Sequence, residues 1–379
     1  MRFHYLLFMF LISFSCNPPG EDLYEFDPDL INGNNPALTR IADNIIYIPL
    51  DNRVKIRLIN DVIMTQHSIF LSSDEGILKF NREGKIVRRI GNKGRGPGEY
   101  TYCANFTVDK LSETVYVKDR DNLIRVYSKD GTFVRDINLQ NTGSGIDLIE
   151  FYDSRLFVSY FLQFGESEYN WIITDTLGKI IRKQNRSIPY FTSNWLEGSR
   201  TYNYQGKLFY WNPYNDTVFS ISNDCSYKPS FLIGEGNFRL PASDFDPAEE
   251  ITHFMLIKSM FETRRFLVLK YSYNRKGNIT LVDKKNRNSF LTFVESFEDG
   301  GITNDIDGGV DFQPVSYYAE NEQEYMIGFF NPYKLKNHVY SDDFKNIMPK
   351  YPEKKKQLEG LAGSLSETDN PVLMLVTLK

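Results

Sequence analysis

A repeat constrains this chain more than any other feature. The segment IFLSSDEGILKFNREGKIVRRIG, from Ile69, recurs 46 residues later as VYVKDRDNLIRVYSKDGTFVRDINL, from Val115. Both copies read strand, polar turn, strand, Gly-containing turn, strand. Val115, Val117, Ile124, Val126 and Tyr127 supply the β-branched, alternating pattern of half-buried strands, and Glu83-Gly84 and Asp130-Gly131 supply tight hairpins. Weaker copies follow at LFVSYFLQ (156–163) with NWIITDTLGKIIRKQ (170–184), at 207–222, at 265–291 and at 312–330. A period of about 40 to 50 residues built from short strands points to radially stacked four-stranded sheets rather than a sandwich. The expected fold is all-β: a six-bladed β-propeller with four-stranded antiparallel blades and a few inserted helices.

A ring of blades needs its two ends stapled. NIIYIPLD (44–51) and PVLMLVTLK (371–379) both read as strands, and one or both are expected to share a blade. Two helices are expected. One covers 246–266, with Asp246 as cap, Pro247 in the first turn, and Ile251, Phe254, Met255 and Phe261 as its apolar stripe. The other runs from Pro352 to Leu365.

The N-terminus, MRFHYLLFMFLISFSC, has a positive start at Arg2 and about ten apolar residues. That run is too short to span a bilayer and suits a secretory signal peptide. It resembles a bacterial lipobox in which Cys16 becomes the lipidated first residue, so the expected organisation is a signal peptide over 1–15, a lipidated tether over 16–37 and the propeller over 38–379. The expected location is the outer membrane, facing the periplasm or the surface, with the membrane engaged only through the lipid. Cys103 and Cys225 fall in non-neighbouring repeats and are expected to be buried, unpaired thiols. With 41% hydrophobic and 15% aromatic residues the chain can bury a sizeable core, and a net charge of −5 argues against a nucleic-acid partner.

The stretch GNKGRGPGEY (91–100) has the glycines of a phosphate loop, but it lacks the Gly-Lys-Ser/Thr ending and runs into FTVD, a strand. A phosphate site needs a helix N-terminus there. The stretch therefore reads as a corner from the outer strand of one blade to the inner strand of the next. IGNKGRGPGEY, FTVD and VYVKDRDNLIRVYSKDG together resemble the repeat of NHL-type propellers. With IADNIIYIPLD, NDIDGGVDFQP and SETDNPVLMLVTLK, the chain from about residue 38 to 379 resembles the six-bladed β-propeller lipoproteins of Bacteroidota. That resemblance implies architecture more than activity.

Arg95 and Glu99, with Tyr100 beside them, are the first ligand-binding candidates. An inter-blade corner is expected at the central mouth, where Arg95 can hold a carboxylate or phosphate and Glu99 can accept hydroxyl hydrogen bonds; pairing with each other or with a neighbouring blade is the competing use. Asp305 and Asp307 in NDIDGG faintly resemble the front of a calcium loop, against ordinary Asp-Gly turn chemistry. Trp195 and Trp211, among Tyr190, Tyr202, Tyr204, Tyr210 and Tyr214, can stack on sugar rings or simply pack between blades. His67, His253 and His338 lack ligand spacing, and no catalytic motif appears, so no catalytic residue, metal or cofactor is assigned. The favoured reading is a non-catalytic, lipid-anchored module binding an envelope oligosaccharide, peptide or protein. The alternatives are an envelope lyase or hydrolase with carboxylates or a metal in the channel, and a structural scaffold.

Overall fold

Runs of alternating or wholly apolar residues between Gly, Asp and Asn turns can only hide their surface by pairing into sheets and stacking those sheets face to face. In the computed structural model, which describes residues 23–31, 35–143, 145–165, 167–294 and 299–379 (the side chains of Ala248 and Glu249 excepted), they do so as a six-bladed β-propeller. Blade 1 is Ile59–Met64, Ser68–Ser73, Gly76–Asn81 and Ile86–Ile90; blade 2 is Phe106–Val108, Val115–Lys118, Leu123–Tyr127 and Phe133–Asn138. Blade 3 is Ile146–Tyr152, Arg155–Tyr160, Tyr169–Asp175 and Ile180–Asn185; blade 4 is Arg200–Tyr204, Lys207–Trp211, Thr217–Ile221 and Tyr227–Ile233. Blade 5 is Leu256–Glu262, Phe266–Tyr273, Lys276–Asp283 and Ser289–Val294. Within each blade successive strands pair antiparallel, and the first strands gather around the axis.

Blade 6 closes the ring. Ser316–Glu320 and Gln323–Phe330 are joined by the C-terminal Val372–Leu378, which pairs on its other side with Ala42–Pro49. The two termini thus share one sheet, as expected from their strand patterns. Asn370 fastens the joint. Its side chain donates to the carbonyls of Asp51 (2.7 Å) and Val54 (2.6 Å) and accepts from the Ile56 N–H (2.9 Å), and it is 1% exposed.

Two expectations are corrected. The helix proposed over 246–266 is one α-turn at Pro247–Glu250 and a 3-10 turn at Ile251–His253; Leu256–Glu262 is the inner strand of blade 5. Pairing of Met260 with Leu269 and Phe261 with Val268 overrides the helical stripe, because those side chains gain more burial between blades than along a lone helix. Part of the span expected as a tether over 16–37 also joins the propeller. Tyr24–Phe26 adds a parallel fifth strand to the outer edge of blade 4, with Phe26 buried in the core; an unpaired edge strand offers free N–H and C=O groups, and the segment covers them. Cys16 and the expected signal peptide lie outside the described residues. Cys103 and Cys225 are both free; Cys103 is buried and Cys225 only half-buried.

The helix near the C-terminus forms at Pro352–Ser364, and two more precede it, Pro332–Tyr340 and Asp342–Asn346. All three interrupt blade 6 between its second and third strands and pack over the 304–312 segment, where His338 Nε2 and the Gly308 carbonyl are 2.7 Å apart. They cap one sector of the disc.

Candidate binding face and central channel

In an antiparallel blade the turn between strands two and three and the connection to the next blade emerge on the same face. This loop-bearing face carries the 91–100 corner. The corner does not sit at the axis. Its connection leaves the outermost strand of blade 1 and is braced on the outer half of blade 2: Tyr127 donates to the Gly98 carbonyl (2.9 Å), and Gly98, at φ +73°, lies against the Phe133 ring, leaving no room for a Cβ. The Tyr100 hydroxyl accepts from the Ile77 N–H and donates to the Ile90 carbonyl, both at 2.9 Å, and the residue is fully buried. Glu99 closes its own turn by accepting from the Gly96 N–H (2.9 Å). Arg95 is exposed, and no hydrogen bond or ion pair engages it among the described residues. The physical reason for the displacement is that strand four is the rim of a blade, so the chain must travel inward from there before Phe106 reaches the axis.

Asp305 and Asp307 lie under the helical cap. Asp305 accepts from the Thr39 N–H (2.9 Å) and hydroxyl, and Asp307 from Tyr47 Oη (2.8 Å), Asn304 Nδ2 (2.8 Å) and the Gly309 N–H (2.9 Å). Their oxygens are occupied in tying the segment to the outer strand of blade 6. Trp211 is buried in the core, while Trp195 is half-buried with its ring centroid 6.4 Å from that of Phe245. The sequence candidates therefore occupy four separate places. Among the described residues no three His, Cys, Asp or Glu side chains converge as ligands for one metal ion.

Two arrangements emerge that no motif announces. The first is a belt of rings across the loop-bearing face of blades 2 to 5. The Lys118 ammonium lies 5.7 Å from the Tyr102 ring centroid and 5.1 Å from that of Phe161, and Phe161 meets Phe164 edge-on at 5.6 Å. A bridge from Phe164 to Thr192 leads to Phe191, which packs edge-on against Tyr214 at 4.8 Å. Trp195, Phe245 and Phe254 continue the row. Tyr102 (48%), Phe164 (47%), Tyr190 (63%) and Leu196 (57%) are exposed on these same connections. Of these, Tyr190, Trp195 and Tyr214 belong to the aromatic cluster legible in the sequence; the others are scattered over four loop segments and converge only when the ring closes.

The second is in the channel. Asp61 and Glu150 stand on the inner strands of blades 1 and 3. Both are reached by solvent yet walled in by protein, and burial raises Asp61 to about 6 and Glu150 to about 7. Lys110 opposes the shift of Glu150, and Asp61 adds to it by like-charge repulsion. Asn203 Nδ2 (2.8 Å) and the Thr107 hydroxyl (3.3 Å) donate to Glu150, while among the described residues Asp61 accepts only from its neighbour Val62 N–H (2.7 Å). The inner strands INDVIM and IDLIEFY lack clean alternation, so their inward carboxylates give no sequence signal.

The family model described as a domain of unknown function, DUF4934, matches residues 24–377. The chain belongs to that family. Its fold is shared by a Bacteroides fragilis protein provisionally described as exported, 18% identical over 94% of this chain and 99% of that one, with a TM-score of 0.67. A member of the DUF4221 family from Bacteroides vulgatus is 10% identical over 89% and 97% of the two chains, with a TM-score of 0.53. At these identities the likeness is one of fold. No curated protein matches the sequence. No helix among the described residues is long and apolar enough to cross a membrane.

Proposed function

We propose that this DUF4934 protein is an exported, lipid-anchored binding module of the cell envelope, non-catalytic, that takes its ligand or partner on the loop-bearing face of blades 2 to 4. The observation that carries the reading is the aromatic belt with its exposed members Tyr102, Phe164 and Tyr190, and the exposed Leu196 on the same face. Rings that are held in place by neighbours and still face water are the usual anchors of recognition surfaces. The Arg95 guanidinium, free at the rim of the same face, adds a charged contact for an acidic group. The export and anchoring rest on the N-terminal sequence, with Cys16 as the lipidated residue.

The test is site-specific photo-cross-linking in the native envelope. A cross-linker at Phe164 or Tyr102 is expected to give discrete adducts. The same group at Leu111 or Leu177, which lie on turns of the opposite face and are 98% and 73% exposed, is expected to give none. Equal labelling from both faces sinks the reading. Mass spectrometry of the mature N-terminus tests the anchor separately.

The Asp61–Glu150 pair favours a second reading, an envelope hydrolase or lyase. Two carboxyls titrating near neutrality in one channel can divide acid and base roles. Turnover of an envelope polysaccharide that vanishes in both Asp61→Asn and Glu150→Gln would establish it.

A further inference from the structure

A groove of about 360 Å³ opens on the loop-bearing face at the outer end of blade 3, lined by Glu168, Tyr169, Asn185, Arg186, Ile188 and Tyr190. We propose that this groove binds the sugar rings of a neutral oligosaccharide, with Tyr190 as the stacking platform. The assignment rests on the binding-module reading above and names its ligand class.

Tyr190 is built as a platform. Arg186 lies under it, its guanidinium carbon 4.7 Å from the Tyr190 ring centroid and 5.5 Å from that of Phe191. The guanidinium is itself held by the connection it supports, donating to the carbonyls of Ile188 (2.9 Å) and Pro189 (2.7 Å). The Arg186 N–H in turn donates to the Glu168 carbonyl (2.8 Å), and Tyr169 faces Asn185 across the sheet. One face of the Tyr190 ring is thus fixed against protein, and the residue remains 63% exposed. A large ring held in one orientation binds at little entropic cost.

Around the ring stand groups suited to hydroxyls. Neither the Glu168 carboxylate nor the Asn185 amide engages a protein hydrogen-bond partner among the described residues, and both are exposed. A carboxylate accepts from two adjacent hydroxyls and an amide both donates and accepts, whereas the C–H face of a pyranose lies flat on a tyrosine ring. Other ligand classes fit less well. Arg186 is committed to its own connection, the Lys183 ammonium beside the groove lies 4.7 Å from the Tyr169 ring centroid and donates to its hydroxyl (3.1 Å), and Glu168 repels anions, so an acidic glycan gains less here than a neutral one. Polar groups outnumber Ile188 and Tyr190 along the walls, so an apolar peptide would strand them. The volume lies at the small end of the roughly 300–1,000 Å³ that ligand pockets occupy.

The test screens the purified full chain on a glycan array spanning neutral hexose, N-acetylhexosamine and uronic-acid oligosaccharides, with hits followed by calorimetry. At least one neutral oligosaccharide is expected to bind. Tyr190→Ala should weaken it about tenfold or more, Tyr190→Phe should leave it within about threefold, and Glu168→Gln should weaken it about three- to tenfold. Both positions are exposed, so unchanged melting temperatures will show that the variants fold. A silent array, hits confined to acidic glycans, or hits indifferent to Tyr190→Ala overturns the assignment. If the array is silent while Phe164 still cross-links a partner, the glycan site falls and the binding-face reading stands.

Discussion

Removal of the Asn370 side chain tests how the ring is held shut. In Asn370→Ala three side-chain hydrogen bonds disappear, to the Asp51 and Val54 carbonyls and from the Ile56 N–H. A net contribution of about 1 kcal/mol per bond, plus the penalty for stranding backbone groups that water reaches poorly, gives a loss of about 3–5 kcal/mol. The strand pairing of Ala42–Pro49 with Val372–Leu378 survives in the folded ring, so the variant is expected to fold. Urea unfolding should show a lower midpoint at an unchanged slope, since the surface exposed on global unfolding is the same. Hydrogen exchange should quicken first in residues 42–49 and 372–378, because closure is where the opened ring would part. Asn370→Asp, which keeps the acceptor for Ile56 but loses both donors, should be at least as damaging. A loss below about 1 kcal/mol, or quickened exchange spread evenly over all six blades, would refute the claim that this residue staples the ring.

Tyr100→Phe should cost about 2–4 kcal/mol in thermal or urea unfolding by leaving the Ile77 N–H and Ile90 carbonyl unmet, while Tyr102→Phe on the exposed face should change stability by less than about 0.5 kcal/mol. Burial would push the Glu113 carboxyl up, but the Lys79 ammonium at 2.7 Å and the Thr65 hydroxyl at 2.6 Å hold it below its ordinary range. Its stabilising share is therefore complete above the unfolded carboxylate range and is lost as pH falls through the lowered value; Glu113→Gln should flatten that acid limb and cost about 3–5 kcal/mol at pH 7 by stranding Lys79, as pH-resolved urea titrations will show. Glu150 runs the other way: raised to about 7, it withdraws stability as pH climbs from the unfolded value through neutrality. Glu150→Gln should match the wild type near pH 4 and exceed it by about 2–3 kcal/mol at pH 8; equal stability at both would show that the carboxyl is not crowded.

The two regular repeats were readable because their strands carry alternating apolar residues and their hairpins carry Glu-Gly and Asp-Gly, signals that act within a few residues. The terminal strands were readable for the same reason, since Ile45, Ile48, Leu373 and Leu375 can only be hidden in a sheet. At Leu256–Glu262 in blade 5 the apolar spacing suits a helix as well as a strand, and a neighbouring hairpin decides between them. The strand at Tyr24–Phe26 was also illegible, because it forms only where blade 4 leaves an edge to cover.

Local chemistry thus determined strands, turns and the closing pair. It also placed Arg95 and Glu99 on an inter-blade corner. Only the closed ring decided that this corner rests at the rim, that Asp305 and Asp307 are tied under a helical cap, that Asp61 and Glu150 stand on inner strands around one channel, and that Phe161, Phe164 and Tyr190 share one face. Turn and strand preferences act over a few neighbouring residues, whereas these meetings join side chains tens to hundreds of positions apart, and their distances are set by how six sheets pack around an axis.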